Sequence, residues 1–125
     1  MAYTIKTIDE LESINHGAVK LAGAELGISS FGMQVLDFPA GFCHYPEHDH
    51  AEDGQEEVYV VLRGRADFLV DGEHVAVRPG QLLKVDAASK RNLQPVRDEV
   101  RILAIGCCTA GAYERPEAFQ IEVKA

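Results

Sequence analysis

Residues 41–64 read GFCHYPEHDHAEDGQEEVYVVLRG and contain two histidines that are separated by a single residue. Side chains alternate between the two faces of an extended strand, so we expect His48 and His50 to project from the same face. A polar, turn-like run at residues 51–55 then leads to Glu57, at the head of an apolar strand predicted for residues 58–62. The pattern predicts two imidazoles and one carboxylate that converge from paired strands.

Two imidazoles and one carboxylate are a typical ligand set for a transition metal. Imidazole nitrogen is a borderline-soft ligand and carboxylate oxygen a hard one, and three such ligands leave positions open for water or substrate. We therefore expect His48, His50 and Glu57 to bind a divalent transition metal. The sequence does not select among Fe, Mn, Ni and Zn.

The same stretch resembles the first motif of the cupin family, which runs Gly, spacer, His-x-His, spacer, Glu, six residues, Gly. Gly41, His48, His50, Glu57 and Gly64 fit this order, although the two spacers are slightly longer than in the commonest form. The resemblance implies an all-β fold, namely the double-stranded β-helix (jelly-roll) barrel, and a homodimer. The chemistry it implies is dioxygenation, isomerisation or a lyase reaction, because one fold hosts many functions.

The second motif of the cupin family is degenerate in this chain. It runs Gly, five residues, Pro-x-Gly, two residues, His, three residues, Asn, and its His is a further metal ligand in the family. Aligned from Gly80, the later positions hold Asp86, Ala88, Arg91 and Pro95, so only the first Gly is kept. Arg91 therefore stands where the resemblance places a ligand.

Arg91 changes the functional expectation because a guanidinium offers only hydrogen-bond donors and cannot coordinate a metal. Three arrangements are open: Arg91 pairs with Glu57 and fills a metal-free site, it binds an anionic substrate beside a three-ligand metal, or it points outward. We favour the second arrangement, since a fork of fixed donors suits a carboxylate or enolate. Arg91 is then a catalytic-site residue that anchors the substrate.

Several other side chains are candidates for the same site. Tyr59 shares the strand parity of Glu57 and is expected to project into the same cavity, as a hydrogen-bond donor or acid/base, or else to be a core residue. His44 lies four residues before His48 and is a candidate further ligand, although Pro46 interrupts a regular strand. Either Cys107 or Cys108 is expected to direct its thiol inward, as an additional ligand or as a buried structural group.

The composition limits the remaining possibilities. A chain of 125 residues with 46% hydrophobic residues suits a single domain, residues 1–125. The formal charge of −8, without clustered Lys and Arg, argues against binding to nucleic acid or to an anionic membrane. The three cysteines are expected to be free thiols, and no stretch resembles a signal peptide or a membrane span. We expect a cytoplasmic protein.

Short apolar runs between turn residues predict a strand-rich chain. At the N-terminus we expect an edge strand at residues 1–7 and a short helix opened by a Thr7-x-x-Glu10 capping box. Residues 16–27 are expected to be an irregular connection or a strand, and the tail, residues 111–125, to pack on a sheet edge or to reach a second subunit. The other predicted strands are residues 30–38, 66–70, 73–77 after a turn at 71–72, 81–85, 92–96 and 100–106.

Three classes of function remain open from the sequence. The first is a metal-dependent enzyme, an oxygenase above all, that acts on a small and anionic organic molecule. The second is a module that binds a small organic acid or sugar without turnover, and the third is a structural or regulatory dimer. We favour metal binding with action on a small-molecule ligand, and the sequence leaves turnover open.

Overall fold

Nine strands supply most of the regular structure of residues 2–121, the part of the chain that the computed structural model describes. One α-helix, α1 (Ala22–Leu26), and two 3-10 turns, Ile8–Glu10 and Glu117–Phe119, accompany them. Within the described part, no helix is long and apolar enough to cross a membrane. The strands are β1 (Ser13–Ile14), β2 (Val19–Lys20), β3 (Gly32–Phe38), β4 (Gln55–Arg63), β5 (Ala66–Val70), β6 (Glu73–Val77), β7 (Leu82–Val85), β8 (Arg91–Leu93) and β9 (Val100–Cys108).

The strands form two sheets in which every neighbouring pair is antiparallel. The larger sheet has the order β1-β2-β3-β9-β4-β7, and the smaller one has the order β6-β5-β8. The predicted all-β architecture is confirmed. Most predicted strands occur with shifts of one or two residues at their ends, but residues 94–96 are not in a strand, since β8 ends before Pro95.

Alternation along the two longest strands produces the core. In β4, Tyr59 and Val61 are buried while their neighbours are more exposed, and in β9 the even-numbered residues 100–106 are buried. These side chains pack against Phe68 of the smaller sheet. Burying a large apolar side chain contributes roughly 1.5–3 kcal/mol, so this layer is the main stabilising contact between the sheets. Glu57 lies two residues before Tyr59 in β4, so its side chain is on the same inward face of the strand.

Strand β3 is covered on both faces, as its sequence predicts. Leu36 and Phe38 belong to the core between the sheets. Val35 packs on the other face against Leu11 and Ala22, which come from the N-terminal region. The N-terminal region therefore covers the outer side of the strand that forms part of the cavity wall described below.

Two turns explain why the sequence places glycine where it does. Asp71 and Gly72 both have positive φ, 48° and 82°, which is the conformation of a type I′ hairpin turn and confirms the turn predicted at 71–72. Gly64 ends β4 with φ 84°, and a Cβ atom there would lie 2.4 Å from the carbonyl oxygen of Glu99. The last glycine of the first motif is thus required by a close backbone approach.

The N-terminal predictions are confirmed only in part. Residues 2–7 form no strand, and Tyr3 and Ile5 are 75% and 84% exposed because no sheet faces them; Met1 lies outside the described residues. The predicted short helix after Thr7 is present as the 3-10 helix Ile8–Glu10, but Thr7 makes no side-chain capping bond. Residues 16–27 contain a strand, β2, as one of the two alternatives predicted, and also the unexpected helix α1, which Gly27 ends in the left-handed conformation.

Candidate metal centre

The two histidines lie in a segment held by single backbone contacts, whereas the sequence predicted a regular strand. The His48 amide donates to the Arg91 carbonyl at 3.1 Å, and the Arg91 amide donates to the His48 carbonyl at 2.9 Å, which forms an isolated antiparallel bridge. The His50 amide donates to the Ala87 carbonyl at 2.8 Å. Pro46, which has no amide hydrogen, precedes this bridge and limits regular pairing.

The three predicted ligand side chains converge. Nε2 of His50 lies 3.0 Å from Oε1 of Glu57, and Nε2 of His48 lies 3.7 Å from the same oxygen. One ligand atom from each residue lies within 4.8 Å of the other two. Gly106 faces Glu57 across the β4–β9 pair, and a Cβ atom there would lie 3.3 Å from Cγ of Glu57. The sheet therefore leaves room for the carboxylate beside the imidazoles.

The outer nitrogen of each imidazole is held by an oxygen. Nδ1 of His48 lies 3.0 Å from the carbonyl oxygen of Pro46, and Nδ1 of His50 lies 3.1 Å from both carboxylate oxygens of Asp53. Because these oxygens only accept hydrogen bonds, each Nδ1 carries the proton and donates. This arrangement leaves the Nε2 lone pairs directed at Glu57, as in proteins whose metal-binding histidines are oriented by an outer carbonyl or carboxylate.

The donor set fits a metal ion. Nε2 of His50 is buried and makes no hydrogen bond, even though Oε1 of Glu57 lies only 3.0 Å away. A buried polar atom without a partner is unfavourable, and native structures contain few of them. A divalent cation between this nitrogen, the second imidazole and the carboxylate would satisfy all three groups.

Glu57 is held in its ionised form. Burial by itself raises the pKa of Glu57, but the contacts of His48, His50 and Tyr59 outweigh burial, so the net pKa lies well below its ordinary value. The contact with Glu57 raises the pKa of His50, burial opposes this change, and Asp53 adds to it. Glu57 is thus a carboxylate anion at neutral pH.

Arg91 lies behind Glu57, away from the open side of the site. Its side chain is fully buried, with Nη1 3.6 Å from Oε1 of Glu57 and Nη2 donating to the carbonyl oxygen of Asp86 at 2.8 Å. Of the three arrangements left open by the sequence, the outward one is wrong, and the pairing with Glu57 is present. The expected direct contact with a substrate does not fit this position, because Arg91 is not part of the cavity wall.

Tyr59 also lies behind the carboxylate, and a second tyrosine takes the exposed position. The Tyr59 hydroxyl donates to Oε1 of Glu57 at 2.9 Å and lies 3.1 Å from the hydroxyl of Tyr45. Tyr59 is fully buried and does not line the cavity, whereas Tyr45 does. Since the one proton of Tyr59 is directed at Glu57, Tyr45 donates to Tyr59 and keeps its oxygen lone pairs for an acceptor role.

Sequence reasoning missed Tyr45 because strand parity does not apply to the irregular segment that contains it. The only signal was its position between His44 and Pro46, three residues before the first histidine of the motif. Burial raises the pKa of Tyr45 to about 12, so its hydroxyl is protonated at neutral pH.

The other candidate ligands do not join the cluster of metal-binding groups in the described part of the chain, which consists of the two histidines and Glu57. His44 lines the cavity, and its Nε2 lies 3.9 Å from Sγ of Cys43. Cys107 is exposed, and its thiol contacts the carbonyl oxygen of Ser30 at 3.3 Å. Cys108 has the inward parity of β9 and is half-buried, and all three cysteines are free thiols.

A cavity of about 910 Å³ opens beside the three converging side chains. Strand β3 and the segment before His48 form much of its wall, and Tyr113, Pro116 and Phe119 of the C-terminal segment complete it. A Cβ atom on Gly32 would lie 2.8 Å from the Tyr113 hydroxyl, so glycine in β3 admits this segment. The described part of the tail thus packs on β3; residues 122–125 lie outside the described residues.

Solved structures of similar fold support the fold assignment. No model of a known protein family and no curated protein matches the sequence. A cupin protein from Bacteroides fragilis matches with a TM-score of 0.70 and 20% identity, over 100% of this chain and 99% of that one. A cupin-superfamily sugar phosphate isomerase from Silicibacter pomeroyi matches with a TM-score of 0.68 and 20% identity, over 85% of this chain and 76% of that one.

A DMSP lyase from Ruegeria pomeroyi matches with a TM-score of 0.56 and 24% identity, and here 68% of this chain covers 42% of the lyase. At such identities the likeness concerns the fold, and the activities in these names belong to those proteins. The two antiparallel sheets of the chain, and the resemblance of its first motif to that of the cupin family, agree with the fold of these structures. The chain has the jelly-roll fold of the cupin proteins.

Proposed function

We propose that the protein binds one divalent transition metal through His48, His50 and Glu57 and acts on a small organic molecule in the adjoining cavity. The observation that carries this proposal is the orientation of the imidazoles. Both Nδ1 atoms donate to outer oxygens, and both Nε2 atoms approach one carboxylate oxygen. Fe, Mn, Ni and Zn all accept nitrogen and carboxylate ligands of this kind.

A metal in this position supplies Lewis acidity and fixes the oxygen atoms of a bound substrate. Around it, Glu57 contributes the negative charge, and the Tyr45 oxygen is the neutral acceptor that faces the cavity. Lyase and isomerase reactions are candidates for this site because a lyase and an isomerase are among the similar structures. Dioxygenation is a third candidate, which the cupin resemblance implies. The choice among them rests on the substrate.

Arg91 and Tyr59 are proposed to act through Glu57. Both contact the same carboxylate oxygen from the buried side, and neither reaches the cavity. They therefore hold the orientation and the ionised state of Glu57, and they are positioning residues in this proposal. We expected Arg91 and Tyr59 to contact the substrate; in this proposal Tyr45 and the metal contact it instead.

The metal content of the purified protein tests the proposal. We expect one equivalent of a divalent metal after reconstitution, measured by inductively coupled plasma mass spectrometry, and a loss of at least about tenfold in affinity for His48→Ala, His50→Ala and Glu57→Gln. His74→Ala is the matched control, because His74 is an exposed histidine of β6 in the other sheet. Uptake that is unchanged in all four variants would contradict the proposal.

The buried Arg91 favours a second candidate function. Its guanidinium lies 3.6 Å from Oε1 of Glu57, so a cation already faces the carboxylate from inside. A chain in which this pair replaces the metal would bind a small molecule without turnover. Wild-type protein that takes up no metal but binds ligands in the cavity would favour this second function over the first.

We also propose a single-domain homodimer in the cytoplasm. Leu82 lies on β7, an edge of the larger sheet, and is 74% exposed, and Leu62 on the neighbouring β4 is 42% exposed. A second copy that covers these side chains would remove them from water. Light scattering should then give twice the chain mass for the wild type and the chain mass for Leu82→Glu.

The three free thiols suit a reducing compartment, which fractionation of cells that express a tagged copy would test.

A further inference from the structure

In the described part of the chain, the cavity wall lacks lysine and arginine side chains that would balance the charge of a strongly anionic ligand. Among residues 2–121, its ionisable groups are Glu57, the histidines and two tyrosines, and no lysine or arginine side chain lines it. Arg91, the nearest guanidinium, is fully buried and faces Glu57 from behind. Apart from the proposed metal, a dianionic phosphate would leave water without a lysine or arginine in the wall to balance its second charge, which is unfavourable.

Apolar and aromatic side chains form part of the cavity wall. Phe38 and Phe42 stack face to face, with centroids 4.1 Å apart and planes 3° apart. Leu36 lies next to Phe38 in the interior of β3, and Phe119 closes the wall from the C-terminal segment. These groups offer a ligand a flat apolar surface and no charge.

The polar groups that converge on one point lie at the proposed metal, and single polar side chains such as Asn15 and Gln34 line other parts of the wall. At the proposed metal the two Nε2 atoms and the Glu57 carboxylate converge, and the Tyr45 oxygen stands beside them. A pocket of hundreds of cubic ångströms with apolar side chains in its wall and one convergent set of polar groups is the usual form of a site for a small organic ligand. The ligand is therefore expected to be polar at one end and apolar along its body.

We infer that the substrate is a phosphate-free organic molecule with one oxygen-bearing group, such as a 2-oxo acid or enolate, and a flat apolar body that packs on Phe42. This inference rests on the proposed function, because the metal is what binds the oxygen-bearing group. It separates this chain from the structurally similar sugar phosphate isomerase, whose named substrate class is phosphorylated.

Three probes test the inference on metal-reconstituted full-length protein by calorimetry. Pyruvate and phenylpyruvate share the same 2-oxo acid group, and only phenylpyruvate has a flat apolar body. We expect phenylpyruvate to bind at least about tenfold more tightly than pyruvate, since burial of a phenyl group is worth at least that much. Glucose 6-phosphate is expected to bind more weakly than either.

Two variants locate the apolar contact. Phe42→Ala and, on a different segment, Phe119→Ala should each weaken phenylpyruvate binding and leave pyruvate binding and metal content unchanged, while the exposed His74→Ala changes none of them. Equal affinity for the two 2-oxo acids, a tight complex with glucose 6-phosphate, or no binding of any probe would overturn the inference. Phenylpyruvate binding that depends on Phe42 in a protein that takes up no metal would uphold the apolar site and overturn the metal proposal instead.

Discussion

Nε2 of His50 lies 3.0 Å from Oε1 of Glu57, and no hydrogen bond joins the two atoms. In the neutral His50 ring the proton is on Nδ1, where Asp53 accepts it, so a lone pair and an anionic oxygen then face each other. Two electron-rich atoms at this distance are an unfavourable pair unless a cation or a proton lies between them. The metal proposal explains the contact, and a set of variants around it tests that explanation.

Asp53 should strengthen the metal site although it does not touch the metal. Its carboxylate orients the His50 ring and fixes the tautomer that exposes Nε2. We expect Asp53→Ala to weaken metal affinity by about 10–100-fold, which is typical of losing such a partner, measured by competition with a chelating dye. Glu52→Gln, an exposed acid of the same loop, is the control, and an equal loss in both variants would point to loop charge rather than to orientation.

Replacement of Arg91 should tighten metal binding in two separable ways. Arg91→Met removes the cation that competes for Glu57, and Arg91→His also adds a nitrogen where the cupin resemblance has a ligand. We expect tighter binding than wild type in both variants, and the tightest in Arg91→His, by titration calorimetry. If Arg91→His binds no better than Arg91→Met, the imidazole does not reach the metal, and the alignment of the second motif is wrong.

Loss of the Tyr59 hydroxyl should destabilise the protein more than loss of the Tyr45 hydroxyl. Tyr59 donates to an ionised and largely buried carboxylate, and hydrogen bonds to charged groups are worth about 1.5–3 kcal/mol. Tyr59→Phe should lower the free energy of unfolding at pH 7 by that amount in urea titrations. Tyr45→Phe should change stability less, because its partner is the neutral hydroxyl of Tyr59, and the reverse pattern would refute the assignment of the two tyrosines.

Arg115 should control ligand binding from outside the cavity. Its guanidinium donates to the carbonyl oxygens of Gly23 and Ile28 and so fixes the C-terminal segment that carries Phe119. We expect Arg115→Met to weaken phenylpyruvate binding severalfold with metal content unchanged, again by calorimetry. Arg97→Met, at an exposed arginine, serves as the control; unchanged ligand affinity in Arg115→Met would show that the segment holds its place without the arginine.

The contact between Asp9 and Arg101 should make stability depend on pH in the acid range. The hydrogen bond from Arg101, and then its charge, lower the pKa of Asp9 below the ordinary value of 3.8. A depressed pKa stabilises the folded state above the unfolded-state pKa, and the contribution is lost as pH falls through the folded-state pKa. Urea titrations should therefore show Asp9→Asn less stable than wild type at pH 6 and equal to it near pH 2. A difference that persists at pH 2 would rule out the charge as its cause.

The sequence was sufficient for the fold class because alternation and turn residues are local signals. Inward-facing Tyr59 and Val61 and the Asp71-Gly72 turn occur as predicted. The convergence of His48, His50 and Glu57 could be predicted because the motif lists these residues in order. Local signals failed at the N-terminus, where exposed residues 2–7 have a strand-like pattern without a sheet to pair with.

The residues behind and opposite the ligands could not be predicted in the same way. Arg91 and Tyr59 were expected in the cavity, and both lie on its buried side, because parity specifies a face of the sheet but not the depth at which a long side chain ends. Tyr45 and Phe119 reach the cavity from irregular segments whose course depends on tertiary contacts. Such contacts join residues far apart in the chain, and no short sequence pattern encodes them.

The most direct test of the metal site is anomalous X-ray scattering from a crystal of the protein grown with a divalent transition metal. We expect one strong anomalous peak about 2.0–2.2 Å from Nε2 of His48, Nε2 of His50 and a carboxylate oxygen of Glu57. A crystal with no peak at these three atoms, or with peaks only at His16, His44 or other surface groups, would contradict the proposed metal centre.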